Sequence, residues 1–369
     1  MAGSSSPWRR VPWGVLLTAT LLSLLTAEIL LRALPLGGLA LARERWSVRA
    51  GALEPHPPGL YQLDPQIGWT LVPSFSGRFT GVDFDVEIRA NSDGLRDDEI
   101  IPGSDEVVRV LGLGDSFGFG WGVESHESFF KLLEARLQAD ECVACEVVNG
   151  AIPGFGTYEA LQLLKAIGPR YRPDLVVLAF YEGNDAFNNG ASPRRREIRD
   201  GYLADSGGSG RSALRRWSLL ANLIAERLSG VGRKRRYVAD VEKTKELIAD
   251  MKQLLDSSET ALMLFYIPDQ DPARYERPAA LALYDRMLSG VGPDFLRAEL
   301  TALALELGIP FCRLSGRFEA EGAELRLADT HFNPRGHELA AEELFTCLRD
   351  HRLPEGGFPD RALPRARRP

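Results

Sequence analysis

Five apolar runs, separated by stretches of helical periodicity, set the pattern of residues 106–350. Val107–Leu113, Asp174–Phe180 (DLVVLAF) and Ala261–Ile267 (ALMLFYI) have the composition of strands covered on both faces, and Glu146–Ile152 and Ile309–Leu314 read the same way. Between them, Ser125 is a predicted N-cap for a helix carrying Phe129, Leu133 and Leu137. Helices are predicted over Thr157–Ile167 and Leu296–Leu307, over a stripe of Val241, Thr244, Ile248, Met251 and Leu255, and over a closing Gly336–Leu348. Strands that alternate with helices predict an α/β fold: a parallel sheet with helices on both faces and the ligand site off the carboxyl ends of the strands.

The chain before residue 106 has a different texture. Val11–Ala27 is apolar and Ile29–Leu36 extends it, reaching the length of a membrane span only by including Glu28 and Arg32. Trp8, Trp13, Arg9 and Arg10 suit a membrane interface with the N-terminus (1–10) in the cytoplasm. The segment 11–34 is therefore expected to be an uncleaved signal anchor that leaves the rest of the chain outside the cytoplasm, with a cleaved signal peptide as the alternative. Residues 35–60, ending in Pro55, Pro57 and Pro58, read as a linker. Residues 61–105 read as a small β-rich preface: Phe84, Val86 and Ile88 alternate with Asp83, Asp85, Glu87 and Arg89, and Asn91-Ser92-Asp93-Gly94 marks a turn.

A basic insertion at 187–238 interrupts the strand–helix rhythm. It reads as a solvated segment with one packed helix bearing Leu214, Trp217, Leu220 and Ile224; the functional alternative is a lid or a surface for anionic polymer or lipid. The tail 351–369 has a disordered composition. The net charge of −7 argues against a nucleic-acid partner. The four cysteines do not make a small disulfide framework. Cys142 and Cys145 have redox spacing and are free to bridge outside the cytoplasm, while Cys312 and Cys347 are expected as buried thiols that pair only if their elements touch. No cluster has metal-ligand spacing, and neither a metal nor a cofactor is expected.

Candidate chemistry sits at strand ends. Ser116 ends the first run in a loop with Gly114, Gly118, Gly120 and Gly122, where its hydroxyl can be exposed and its amide can face an oxyanion. Taken alone, Gly-Asp-Ser is more often a structural turn. Gly112-Leu113-Gly114 begins like a dinucleotide fingerprint, but its third glycine falls one place late and no acidic residue ends the second strand. The later stations change the balance. Asn149–Thr157 offers the Gly154 amide, Glu182-Gly183-Asn184-Asp185 offers the Asn184 side chain as a neutral donor, and Asp329-Thr330-His331 offers an orienter and a general base. Asp115 and Asp185 read as loop ties. His337 reads as a surface residue at a helix start, His126 as the start of a helix, and His56 and His351 as loop residues.

In this set of blocks the chain resembles the SGNH, or GDSL, hydrolase superfamily. Gly114-Asp115-Ser116 matches its first block, Gly154 its second, Gly183-x-Asp185 with Asn184 its third, and Asp329 with His331 its fifth. The resemblance implies a three-layer α/β/α sandwich on a flavodoxin-like five-stranded sheet. It also implies Ser116 as nucleophile, His331 as base, Asp329 as orienter, and an oxyanion hole from the amides of Ser116 and Gly154 and the Asn184 side chain. Two features depart from the common pattern: Phe117 replaces a leucine, and Asp329 and His331 stand two apart where many members have three.

The function expected is a membrane-anchored serine esterase of the cell envelope that cleaves an O-acyl, for instance O-acetyl, ester of a small molecule or glycan. One alternative is an O-acyltransferase working with polysaccharide-modification partners, since alginate acetylation proteins resemble the same family. The other is a non-catalytic glycan-binding scaffold on a hydrolase fold.

Overall fold

The structure is a computed structural model that describes residues 13–33, 56–100, 107–140, 144–205, 219–269, 294–314 and 316–352. The chain divides into two units, residues 1–52 with 207–231 and residues 53–206 with 232–369. In the first unit, α1 (Trp13–Ala33) leaves the leucines from Leu16 to Leu30 exposed. Among the described residues no helix is long and apolar enough to cross a membrane, so the anchor expected over 11–34 finds no support there. Thr18, Thr20, Ser23 and Thr26 each donate to the carbonyl four residues back, and Glu28 and Arg32 interrupt the apolar run. The cytoplasmic segment, most of the linker, Cys142 and the tail beyond Arg352 lie outside the described residues.

The second unit is built on strands β5 (Val108–Leu113), β6 (Cys145–Asn149), β7 (Leu175–Tyr181), β10 (Ala261–Ile267) and β11 (Phe311–Arg313), all parallel, in the order β11-β10-β7-β5-β6. Taken in chain order these are strands 2-1-3-4-5, the flavodoxin-like arrangement expected. Every residue of β5 is buried. Its one charge, Arg109, forms an ion pair with Glu146 at 2.7 Å and donates to Tyr171 O at 2.6 Å, which satisfies the guanidinium inside the sheet.

The order reverses direction at β5, and right-handed crossovers then fix the layers. Helix α3 (Phe129–Asp140) covers one face together with α9 (Pro334–Asp350), against which it packs. Helices α4 (Thr157–Tyr171), the second-unit part of α6 (Leu219–Asp256) and α7 (Phe295–Leu307) cover the other. Asn189 joins the first two by donating to Thr157 at 3.0 Å and Thr244 at 2.9 Å, and Lys245 joins the last two through Glu299 at 2.9 Å. The stripe Val241, Thr244, Ile248, Met251 and Leu255 is buried. The side chains of Leu214, Trp217, Leu220 and Ile224 lie outside the described residues.

Two helix starts differ from expectation. Ser125 is not a cap: Glu124 caps a single 3-10 turn, Ser125–Glu127, by a box with Glu127, and α3 begins only at Phe129. Helix α9 starts earlier, because Asn333 Oδ1 accepts from Gly336 N at 3.0 Å and Pro334 fits the first turn.

The preface forms two antiparallel hairpins, β1 (Tyr61–Asp64) with β2 (Gly68–Leu71) and β3 (Ser76–Thr80) with β4 (Asp85–Arg89). The insertion contributes α5 (Asp185–Ala191) and a third hairpin, β8 (Arg196–Arg199) with β9 (Tyr202–Asp205). Cys312 and Cys347 do touch: they form a disulfide, so the expectation of free thiols is corrected. The reason is that β11 runs beside α9, bringing their Cα atoms to 6.3 Å. Cys145 is disulfide-bonded as well.

Candidate active site

Ser116 follows β5 at the point where the strand order reverses, in the crevice where open parallel sheets hold ligands. Gly114 permits this crossing, since a Cβ there would meet Ala179 O of β7 at 2.8 Å. Asp115 then caps the short helix α2 (Ser116–Phe119), its Oδ1 accepting from Phe117 N at 2.9 Å. The serine is left at the mouth of the crevice.

The loop before α9 brings His331 to it. Ser116 Oγ and His331 Nε2 are 2.8 Å apart, the distance of a hydroxyl hydrogen bond. His331 Nδ1 is 3.1 Å from Asp329 Oδ1, close enough for an ion pair but without hydrogen-bond alignment. The cause is the short spacing: Asp329 Oδ1 also accepts the His331 backbone N–H at 3.1 Å, and Thr330 between them is forced to φ +79°. That is an outlying conformation for a β-branched residue. Burial alone would raise the Asp329 carboxyl, but contacts with His331 and Trp121 outweigh it and hold the group below its ordinary value.

Aromatic rings fix the imidazole. Trp121 stacks on it at 4.9 Å and 22°, and Phe117 lies tilted against it at 5.0 Å. The same Trp121 donates from Nε1 to Asp329 Oδ2 at 2.7 Å. The departure at Phe117 thus contributes a wall beside the histidine, itself backed by Tyr181 at 4.2 Å.

Asn184 sits at the end of β7, where Nδ2 points at Asp115 Oδ2 at 3.4 Å and Oδ1 is buried without a partner. Two carboxyls lie beneath it. Burial pushes Asp115 up to about 6, and burial together with the charge of Asp115 raises Asp185 well above the carboxylate range. Both tie loops as expected: Asp185 Oδ2 accepts Tyr181 N at 2.9 Å. Gly154 lies in the turn after β6, at φ +79°. That turn is joined to the serine strand by Ile152 N donating to Gly114 O at 3.1 Å.

Sequence reasoning missed the support of these loops by the preface. Arg96 is buried and donates to the carbonyls of Phe119 (3.1 Å), Gly120 (2.5 Å) and Val123 (2.7 Å), closing the loop after Ser116. Asp83 Oδ2 accepts Ala328 N at 2.7 Å, next to Asp329. Trp69 Nε1 donates to Pro153 O at 3.3 Å, next to Gly154. His56, expected merely in a loop, is buried edge-on to Trp121 at 4.7 Å and reaches Tyr61 Oη at 3.1 Å. A tryptophan within a glycine-rich loop was the one available signal, at Trp121.

His337 is also corrected: it is buried, not on the surface, because α9 starts against α3 and His337 Nδ1 accepts Phe129 N at 3.2 Å. Burial drives its pKa down to about 3, so it is neutral and holds a helix end. Among the described residues one group gathers metal-ligand atoms, Cys312, Cys347 and His351, and the disulfide occupies both of its sulfurs.

A comparison with curated proteins gives no match. Among solved structures, the chain is similar to that of TesA at 18% identity and a TM-score of 0.40, covering 66% of this chain and 98% of that one. It is similar to the psychrotrophic esterase EstA from Pseudoalteromonas sp. at 15% identity and a TM-score of 0.41, covering 66% and 97%. It is similar to the acetyl xylan esterase AlAXEase at 15% identity and a TM-score of 0.40, covering 65% and 100%. The model of the GDSL-like lipase/acylhydrolase family matches residues 113–339, the span from the end of β5 into α9 that carries the serine and the histidine, and the chain belongs to that family.

Proposed function

We propose that the protein is a serine esterase that hydrolyses an O-acyl ester through an acyl-enzyme on Ser116. The observation that carries this reading is the 2.8 Å contact between Ser116 Oγ and His331 Nε2. With its hydrogen on Nδ1, toward Asp329, the imidazole accepts the serine proton at Nε2 as Oγ attacks the acyl carbon. The carbonyl oxygen becomes an oxyanion, held by the amides of Ser116 and Gly154 and by Asn184 Nδ2. Collapse breaks the ester C–O bond, and the departing alkoxide takes the proton from His331. Water then gives a proton to Nε2 as it attacks the acyl carbon, collapse breaks the Oγ–C bond, Oγ takes the proton back from His331, and the carboxylic acid leaves.

An O-acetyl group on an envelope glycan is the substrate we propose. The Cys312–Cys347 disulfide supports a location outside the reducing cytoplasm, and the exposed leucines of α1 support attachment to envelope lipid.

The test is turnover of p-nitrophenyl acetate by the full chain, with released acetate and acetyl transferred to added glycan measured in parallel. Acetate release that Ser116→Ala abolishes is expected. Transfer without release would replace hydrolysis by acyl transfer. Release that survives Ser116→Ala would sink the site.

A further inference from the structure

Residues Ile152–Phe155 form a β-turn closed by Phe155 N donating to Ile152 O at 3.1 Å, with Pro153 and Gly154 at its centre. Proline at the second position and glycine at φ +79° in the third are the marks of a type II turn. Types I and II differ by a half-rotation of the central peptide, and glycine at the third position tolerates both. Here the central peptide is Pro153–Gly154, whose N–H is the oxyanion donor in the reading above. N–H and C=O of a trans peptide point in opposite directions, so whatever fixes Pro153 O also fixes where the Gly154 N–H points.

Three side chains from outside the turn hold its carbonyls, Trp69 on Pro153 O and Arg194 and, at 3.4 Å, Asn188 on Gly154 O. Trp69, from β2 of the preface, donates to Pro153 O. Arg194, from the insertion, donates to Gly154 O and so fixes the next peptide as well. Arg194 is itself held: Nε donates to Glu159 Oε1 at 3.1 Å and Nη1 to Asn188 Oδ1 at 3.0 Å, while its guanidinium lies 4.8 Å over the Trp69 ring. Glu159 closes the circle, accepting Gly156 N at 3.0 Å just beyond the turn. Trp69 is fully buried against Phe155, 5.3 Å between ring centres.

We propose that Trp69 and Arg194 are positioning residues that hold the Pro153–Gly154 peptide in its type II orientation and thereby keep the Gly154 N–H turned toward the oxyanion. Neither residue touches the reacting atoms. Without them the peptide is free to rotate, the carbonyl takes the place of the N–H, and the hole loses a donor while the substrate still binds. This rests on the esterase reading and on Gly154 as a donor.

The test uses the full chain with Trp69→Phe, which keeps a ring but removes the donor, together with Arg194→Met, Arg194→Lys and the double variant. Loss of one oxyanion donor lowers kcat by about 100-fold to 1,000-fold. The double variant is expected to approach that loss, and each single variant to lose about tenfold. KM for p-nitrophenyl acetate should stay within about twofold, the melting temperature should hold, and the pH profile should keep its shape because His331 is untouched. Arg194→Lys should recover part of the loss of Arg194→Met. Wild-type kcat in the double variant of an enzyme that Ser116→Ala inactivates would overturn this proposal alone, as would a kcat loss that merely follows melting temperature. Absence of wild-type turnover, or turnover that survives Ser116→Ala, would instead overturn the esterase reading beneath it.

Discussion

Trp121 Nε1 donates to Asp329 Oδ2 at 2.7 Å while the Trp121 ring stacks on His331. One side chain thus holds the far oxygen of the carboxylate and the face of the imidazole. Hydrogen bonds to charged groups contribute about 1.5–3 kcal/mol. Trp121→Phe keeps the stack and loses the donor. Its kcat/KM should fall about tenfold. Asp329, freed of a contact that lowers its pKa, should protonate at higher pH and bring the acid limb of the profile up with it. Both are read from kcat/KM against pH, and an unmoved limb with unchanged rate would deny Trp121 this part.

His331→Ala should reduce ester turnover as far as Ser116→Ala does, by about 1,000-fold or more, since the two act as one unit. Asp329→Asn should cost less, because the carboxylate lies 3.1 Å from Nδ1 without hydrogen-bond alignment. Steady-state kinetics on the three variants rank them. Equal losses in all three would mean that the carboxylate aligns fully once substrate is bound.

Thr330 at φ +79° stores strain of about 1–3 kcal/mol. Thr330→Gly relieves it but adds freedom to the unfolded chain and to the link between Asp329 and His331. Melting temperature should hold or rise while kcat falls. A drop in both would assign Thr330 a packing role instead.

His337 ties stability to pH. Its pKa falls from the ordinary 6.5 to about 3 in the fold. Below 6.5 the unfolded chain takes up a proton that the folded chain refuses, so stability is lost as pH falls from that value toward 3. The slope from this residue is about 1.4 kcal/mol per pH unit. His337→Asn keeps an acceptor for Phe129 N and cannot titrate, so denaturant midpoints should fall less steeply on the acid side. Asp185 acts in the opposite sense. Its raised pKa means that the fold holds a proton which the unfolded chain has released, costing stability at neutral pH and less as pH falls. Asp185→Asn should therefore raise the melting temperature at neutral pH, with the gain shrinking in acid.

The Cys312–Cys347 bond joins residues 35 apart in sequence. Closing a loop of that length stabilises by about 4 kcal/mol in the chain-entropy account. The Cys312→Ser/Cys347→Ser pair should lower the denaturation midpoint accordingly and leave Ser116–His331 chemistry intact once folded.

What the sequence showed of the site was what lies at strand ends. Each strand of the parallel sheet announced itself by its apolar run, and Ser116, Gly154 and Asn184 follow those runs within a few residues, while Asp329-x-His331 stands just before the last helix. The supports were invisible because they are non-local. Trp69 meets Pro153 across 84 positions and Asp83 meets Ala328 across 245, and neither residue type at its position hints at a distant carbonyl or amide. His337 misled for a related reason. A polar residue in a first helical turn suggests solvent, and only the packing of α9 on α3 puts it against Phe129 N. The cysteine pairing required knowing that β11 lies beside α9, which is a matter of sheet order rather than composition.

Arg96, Asp83 and Trp69 all precede residue 113, where the family match begins. A boundary drawn by family likeness therefore cuts through the machinery it is meant to enclose. A chain begun at β5 would keep its sheet and its serine, yet each of the three loops that carry Ser116, Gly154 and Asp329 would have lost one of its anchors. The set of residues that holds the Ser116 site together is larger than the piece that is recognisable as its family.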